Sequence, residues 1–339
     1  MTSTEARAQV WLGGTAFRMD SIGFPELGDN ELLIALSVAT VCGSDRHTVS
    51  GRRPSPSPSI LGHEGMGTVV AGQRDGVRVG DRVVFSVTDT CGRCARCRAG
   101  LSAKCTSVRK VGHEPLGGSW VLNGTYATHL HVQSGQAVER VPDHVGDEAA
   151  ATAGCAIATV MAVMEKAGDL SGRTVLVNGV GMLGLTAVVA ARAAGASHVI
   201  ASDPGAHARS LVAGLAHEVT SSVEPGLLVD CALELSGARA GVMATLASLD
   251  IGGTAVLAGS VSPTHPVGLD PEWMVRGWRT ITGVHNYEPR HLGQAIRFLE
   301  EHQERLPWEA VFGRRYALEE LPSAFAAAPE GLREVVDLT

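Results

Sequence analysis

Thr174-Val-Leu-Val-Asn-Gly-Val-Gly-Met-Leu-Gly184 is the stretch that decides the fold. Its apolar start, residues 174–178, reads as a buried strand, and an Ala-rich helix is expected to follow over residues 182–194. A glycine triplet alone is weak evidence in a chain with 41 glycines. Between a buried strand and a helix start, it reads as a turn that cradles a dinucleotide. Gly179 permits the sharp bend, Gly181 admits a pyrophosphate to the backbone, and Gly184 lets helix and sheet pack closely. Met182 and Leu183 open the helix, whose free N–H groups and partial positive charge face the phosphates. The next strand, 198–202, runs into Asp203, 19 residues after Gly184. A carboxylate there accepts the ribose hydroxyls and repels a 2′-phosphate, which favours NAD over NADP. Its plain alternative is a turn aspartate before Pro204. His207 and Arg209 stand close by, so some tolerance of NADP is compatible with the pattern.

Working outward, strands are expected at 227–233, 253–258 and 280–284, alternating with helices. That alternation indicates a parallel sheet with helices on its faces, an α/β unit. The interval between Thr220 and Leu227 is too short for a full crossover helix. Upstream, a helix is expected over 149–166, capped by Asp147 and ended by Gly168. The first 145 or so residues look β-rich, with short runs at 31–38, 67–70, 81–87 and 125–132. Residues 54–59 alternate Pro and Ser and read as extended loop. The tail carries a helix at 291–301 and short strands that return to the first domain.

At 339 residues and 45% hydrophobic content, the chain is long enough for two cores. Its net charge of −7 argues against a general nucleic-acid binder. The first 150 residues balance 15 basic against 15 acidic side chains. Between Cys91 and Lys110 lie Arg93, Arg96, Arg98, Lys104 and Arg109 without an acid, a pattern that fits a solvated surface. No basic segment followed by an apolar run opens the chain, and charges soon interrupt the apolar stretches 149–163 and 182–191. Neither a leader nor a membrane span is expected, and the cytoplasm is the default location. In that reducing compartment seven cysteines are metal ligands or core residues rather than disulfides.

Four of them form Cys91-x2-Cys94-x2-Cys97-x7-Cys105, enough to close a tetrahedron of thiolates around one structural Zn²⁺ with no open position. A second set is dispersed: Cys42, His63 and Cys155. Two sulfurs and one imidazole leave a fourth zinc position for water or substrate. Taken singly, Cys155 could be core and His63 an interior histidine. Cys231, on an expected buried strand, reads as core.

These residues carry a resemblance to the medium-chain, zinc-containing alcohol dehydrogenases over essentially the whole chain. It rests on Cys42-Gly-Ser44-Asp45-Arg-His47, Gly62-His63-Glu64, the four-cysteine lobe and Gly179-Val-Gly-Met-Leu-Gly184. The resemblance implies a β-rich GroES-like catalytic domain, split between residues 1–146 and 286–339 with its lobe at about 88–108. A Rossmann domain with a doubly wound parallel sheet would occupy residues 147–285. It implies two zinc ions, one catalytic at Cys42, His63 and Cys155 and one structural in the lobe, with NAD as cofactor. Glu64 would stand beside the catalytic metal, Asp45 would orient His63, Ser44 would bond the substrate oxygen and His47 would pass the proton to solvent. The partners implied are a small alcohol or aldehyde and further copies of the chain in a homodimer or homotetramer, with no nucleic acid and no membrane.

A narrower resemblance, to a branch associated with phosphonate metabolism, rests on 42–53, 59–64, Arg109-Lys-Val-Gly-His-Glu114, Gly154-Cys-Ala-Ile-Ala-Thr159 and Gly283-Val-His-Asn-Tyr287. Arg52, Arg53 and Lys110 are the expected clamp for an anionic substrate; their plain alternative is exposed surface charge. Competing functions are a polyol or amino-alcohol dehydrogenase, a non-catalytic zinc scaffold, and a zinc module contacting nucleic acid. The last lacks paired CxxC spacing and the aromatic content such surfaces need.

Overall fold

The computed structural model describes residues 4–263 and 265–339; the first residues of the N-terminal stretch read above as leaderless lie outside them. The chain divides into two compact units. One comprises Met1–Ala158, Asn286–Gln303 and Trp308–Thr339, the other Thr159–His285 and Glu304–Pro307.

The second unit is built on a six-stranded, wholly parallel sheet. Its order is Glu218–Thr220, His198–Ser202, Thr174–Asn178, Val229–Glu234, Leu249–Leu257, Thr280–Gly283. In chain sequence that is 3-2-1-4-5-6, the doubly wound arrangement, which binds ligands beyond the strands' carboxyl ends where the order reverses. Val175, Leu176 and Val177 of the central strand are fully buried, as a strand covered on both faces must be. Helices Met182–Ala193, Ala206–Val212, Arg239–Ala247 and Pro271–Arg276 link the strands. The link from Thr220 to Val229 has no helix, in line with its shortness. The strand expected from 227 begins only at Val229, because Leu227 N–H closes a turn onto Glu224 O at 3.1 Å. Cys231 is fully buried on that strand, and burial pushes its thiol up to about 12.

In the first unit one sheet runs Val138–Arg140, Arg82–Phe85, Gly65–Gly72, Leu32–Val41, Arg333–Asp337, Phe312–Ala317, with His129–Val132 also paired to Leu32–Val41. Glu5–Gly13, Ala16–Gly23 and Ser59–Ile60 form a second sheet. Leu32, Ile34, Phe85, Trp120, Leu122, Tyr126 and Leu130 fill the core around them. The chain's tail returns antiparallel to the central strand, with Glu334 opposite Val41. Only the last four residues of the run expected over 125–132 join the sheet. Thr125 and Tyr126 give their N–H groups to Gly62 and Leu61 instead.

The helix expected over 149–166 starts at Asp147 behind an N-cap at Gly146, not at Asp147. Asp147 is committed elsewhere: its carboxylate accepts from Ser37 Oγ at 3.0 Å and Arg82 Nη2 at 2.5 Å. A π turn, Ala153–Ile157, interrupts the α-helical hydrogen bonding before Ala158–Ala167 resumes it. Length and composition of Asp147–Ala167 would suffice to cross a membrane, but 67% of its apolar window is buried inside the protein.

Close strand contact requires glycine at position 67, where an added Cβ would fall 2.2 Å from Ala35 O and 2.7 Å from Leu36 Cα. Gly67→Ala should therefore lower unfolding free energy by about 1–3 kcal/mol, as overpacking does. Gly118→Ala, exposed and 3.8 Å from its nearest obstacle, should stay within about 0.5 kcal/mol of wild type in denaturant titrations.

Candidate functional site

Cys42 ends the central strand of the first unit and caps the short helix Gly43–Val49. Three residues on, Asp45 accepts the Cys42 N–H at 3.0 Å and the Tyr126 hydroxyl at 2.9 Å. Its other oxygen lies 3.2 Å from His63 Nδ1, and Ser44 Oγ lies 3.3 Å from His63 Nε2. Burial alone would keep the His63 imidazole neutral. The adjacent Asp45 carboxylate and Cys42 outweigh it and raise its pKa well above the ordinary value.

Glu64 follows with no solvent exposure. It accepts Thr40 Oγ1 at 2.6 Å and both arms of the buried Arg333 guanidinium, at 2.6 and 2.9 Å. Arg333 Nη2 also stands 3.5 Å from Cys42 Sγ. Donation from the Cys155 thiol, followed by the charge of Arg333, holds Cys42 well below the usual thiol range despite burial. One ligand atom each from Cys42, His63, Glu64 and Cys155 lies within 4.8 Å of the others. Ligands on a tetrahedral zinc sit about 3.4–3.8 Å apart at ordinary Zn–S and Zn–N lengths. The set fits zinc in both donor chemistry and spacing.

The lobe fits a second ion. Cys91, Cys94, Cys97 and Cys105 also gather within 4.8 Å, with sulfurs 3.4 Å apart for Cys91 and Cys105 and 3.5 Å for Cys94 and Cys97. Backbone N–H groups of Thr106 and Cys97 draw Cys94 down to about 5, and those of Cys91 and Ser107 draw Cys105 to about 7. Burial and the neighbouring thiols push Cys97 up to about 12, so Cys94 and Cys105 are the readier ligands.

In the second unit each glycine of the turn does a different thing. Gly179 has φ +93°, and a Cβ there would strike Ser236 N at 2.5 Å. Gly181 caps the helix Met182–Ala193 with nothing within 4 Å of its would-be Cβ, leaving room for a ligand. Gly184 approaches Gly179 O so closely that a Cβ would lie 2.0 Å from it. Asp203 turns back to this loop, accepting Val180 N–H at 2.9 Å and Gly205 N–H at 2.7 Å. Arg209 is engaged with the carbonyls of Asp203 and Pro204, both at 2.8 Å.

Of the expected anion-binding cations, Arg53 and Lys110 are half-buried and Arg52 is exposed, its Nε 3.4 Å from Ser50 Oγ. Burial, and then the charges of Arg53 and Lys104, lower Lys110. Burial first, then Arg52, lowers His47, whose Nδ1 is buried without a hydrogen-bond partner.

Sequence reasoning did not single out Arg333, Tyr126, Thr40 or His113. Arg333 is 269 residues from Glu64, and no local signal links them. His113 had one: Gly112-His113-Glu114 repeats Gly62-His63-Glu64. Both glycines have positive φ, and a Cβ on Gly112 would sit 2.4 Å from Gly62 O. The two loops thus meet backbone to backbone, with the His63 and His113 rings 5.5 Å apart. Burial, then the charges of His63, Arg53 and Lys110, hold His113 well below the ordinary imidazole range.

Known proteins resemble the chain over most of its length. Residues 28–143 match the alcohol dehydrogenase GroES-like domain. An L-threonine 3-dehydrogenase of Pectobacterium carotovorum is 30% identical over 329 residues, covering 91% of each chain. An alcohol dehydrogenase of Thermotoga maritima superposes with TM-score 0.91 at 25% identity, over 99% of this chain and 100% of its own. A zinc-binding dehydrogenase of Sinorhizobium meliloti bound to NADP gives 0.87 at 25% identity, with the same coverage.

Removing one partner of a buried ion pair strands the other charge. Arg333→Met should destabilise the first unit by about 3–5 kcal/mol, measured by denaturant unfolding. A loss below about 1 kcal/mol, the scale of exposed pairs, would contradict the burial of Glu64.

Proposed function

We propose that this chain, which belongs to the medium-chain, zinc-containing alcohol dehydrogenases and is an oxidoreductase acting on CH–OH groups, is specific for a small alcohol or aldehyde carrying a strong anion. The class meant is a phosphonate such as 2-hydroxyethylphosphonate or phosphonoacetaldehyde. The observation that carries the proposal is His113, whose ring lies 5.5 Å from that of His63 and whose imidazole feels the charges of both Arg53 and Lys110. Guanidinium and ammonium groups give charge-assisted hydrogen bonds to phosphonate oxygens.

Zinc at Cys42, His63 and Cys155 would supply Lewis acidity toward the alcohol or carbonyl oxygen, and NAD at the glycine turn would exchange the hydride. The protein's own groups hold and move the proton. Ser44 Oγ bonds the substrate oxygen and, as the alcohol is oxidised, takes its proton while releasing its own toward His47. His47, with its unpartnered Nδ1, passes that proton on toward solvent. Asp45 keeps His63 in one tautomer and orientation. Glu64, neutralised by Arg333, stands in reserve beside the ligands. The four-cysteine lobe would hold a structural zinc and take no part in the reaction. A homodimer or homotetramer in the cytoplasm is the expected setting.

A second reading, an amino-alcohol substrate, is favoured by the likeness to L-threonine 3-dehydrogenases. Such a substrate brings a carboxylate but also an ammonium. Glu114, the acid beside these cations, accepts the backbone N–H of Lys110 at 2.9 Å; two fixed cations against one carboxylate favour an anion without an ammonium.

Two measurements test these proposals. Initial rates at 340 nm should show NADH oxidation with phosphonoacetaldehyde. Arg53→Met with Lys110→Met should raise its KM about 10- to 100-fold, the worth of roughly 1.5–3 kcal/mol in charged hydrogen bonds, and leave a neutral aldehyde unaffected. Equal effects on both, or turnover of L-threonine alone, would reject the phosphonate. For the cofactor, Asp203 supports NAD, and Asp203→Ser should move the NADH-to-NADPH ratio of kcat/KM toward NADPH by on the order of tenfold, about 1.4 kcal/mol. An unchanged ratio would count against it.

A further inference from the structure

Tyr287 is the one buried residue between positions 280 and 290, 4% exposed. Its hydroxyl donates to the carbonyl of Gly154, inside the π turn and one residue before Cys155. The same oxygen accepts the N–H of Val87 at 3.3 Å. Gly154 is fixed from another direction as well: a Cβ there would lie 2.5 Å from Phe85 O, so the helix rests directly on strand Arg82–Phe85. π turns widen a helix locally and loosen its hydrogen bonding, so an outside donor has leverage on their geometry.

The neighbouring Glu288 reaches the other thiolate cluster. Its carboxylate accepts Ser102 Oγ at 2.5 Å and Ala103 N–H at 3.2 Å, in the 3₁₀ turn Ser102–Lys104 that leads into Cys105. Glu288 also caps helix Pro289–His302, with its own N–H donated to His291 Nδ1 at 2.9 Å. Two consecutive residues at the foot of one helix therefore grip the backbone beside Cys155 and the backbone beside Cys105.

We propose that Tyr287 is a positioning residue that fixes the Cys155 ligand through the Gly154 carbonyl, and that Glu288 does the same for the lobe through residues 102 and 103. The proposal rests on the reading of Cys42, His63 and Cys155 as a metal site. Neither side chain touches substrate or metal. Each sets where a sulfur sits.

The test is zinc release from the full-length zinc-loaded protein into a chromogenic chelator. In wild type, Cys155→Ser and Cys97→Ser assign one phase of release to each cluster. Tyr287→Phe, which removes only the hydroxyl, should speed the Cys155-dependent phase about 10- to 100-fold, the effect typical of groups that orient metal ligands, without changing the lobe phase. Glu288→Gln should do the reverse. Cobalt loaded at the Cys155 cluster should show a shifted sulfur-to-metal absorption band in Tyr287→Phe. Release and spectrum both unchanged in Tyr287→Phe, or both phases accelerated equally, would overturn the proposal while leaving the metal site standing. A wild-type protein with no Cys155-dependent phase would instead remove the metal site itself, and the positioning role with it.

Discussion

A guanidinium in the interior is what the cluster of Cys42, His63, Glu64 and Cys155 depends on. Two sulfurs, a carboxylate and an imidazole crowd within 4.8 Å. Unaccompanied, a buried carboxylate beside a thiolate would be neutralised by proton uptake rather than stay charged. Arg333 meets both Glu64 and Cys42, and its own pKa is raised because their charges outweigh its burial. Net attraction in such a site is small next to the cost of leaving one member unpaired. Arg333 therefore specifies an arrangement more than it adds stability.

That dependence explains the path of the chain. A tail strand, Arg333–Asp337, has to pair with Leu32–Val41 for the guanidinium to arrive. The β-rich unit is closed by its last residues, and the nucleotide-type sheet of residues 159–285 is carried as an insertion between its two halves. The turn Gly179–Gly184 is written in one local run of sequence, whereas Cys42, His63 and Cys155 are drawn together only by the finished fold.

The same contrast sets what could be read from the sequence. Features written in neighbouring residues were legible: the glycine turn with Asp203, the four-cysteine spacing and the short crossover after Thr220. The dispersed residues were legible only jointly, and the structure does bring Cys42, His63 and Cys155 together. Groups acting across long separations were not. Tyr126 reaches Asp45 over 81 residues and Tyr287 reaches Gly154 over 133. Asp147 looked like a helix cap by residue type, but a competing arginine, Arg82, claims its carboxylate. The π turn at Ala153–Ile157 has no compositional mark, since its small residues also suit an ordinary buried helix.

The contact between Gly62 and Gly112 has a consequence for how such a protein can diverge. Main chain, not side-chain packing, sets the distance between the loops bearing His63 and His113. Position 112 is thus closed to substitution: a side chain there would drive its loop off Gly62 and carry His113 away from the imidazole that faces Cys42.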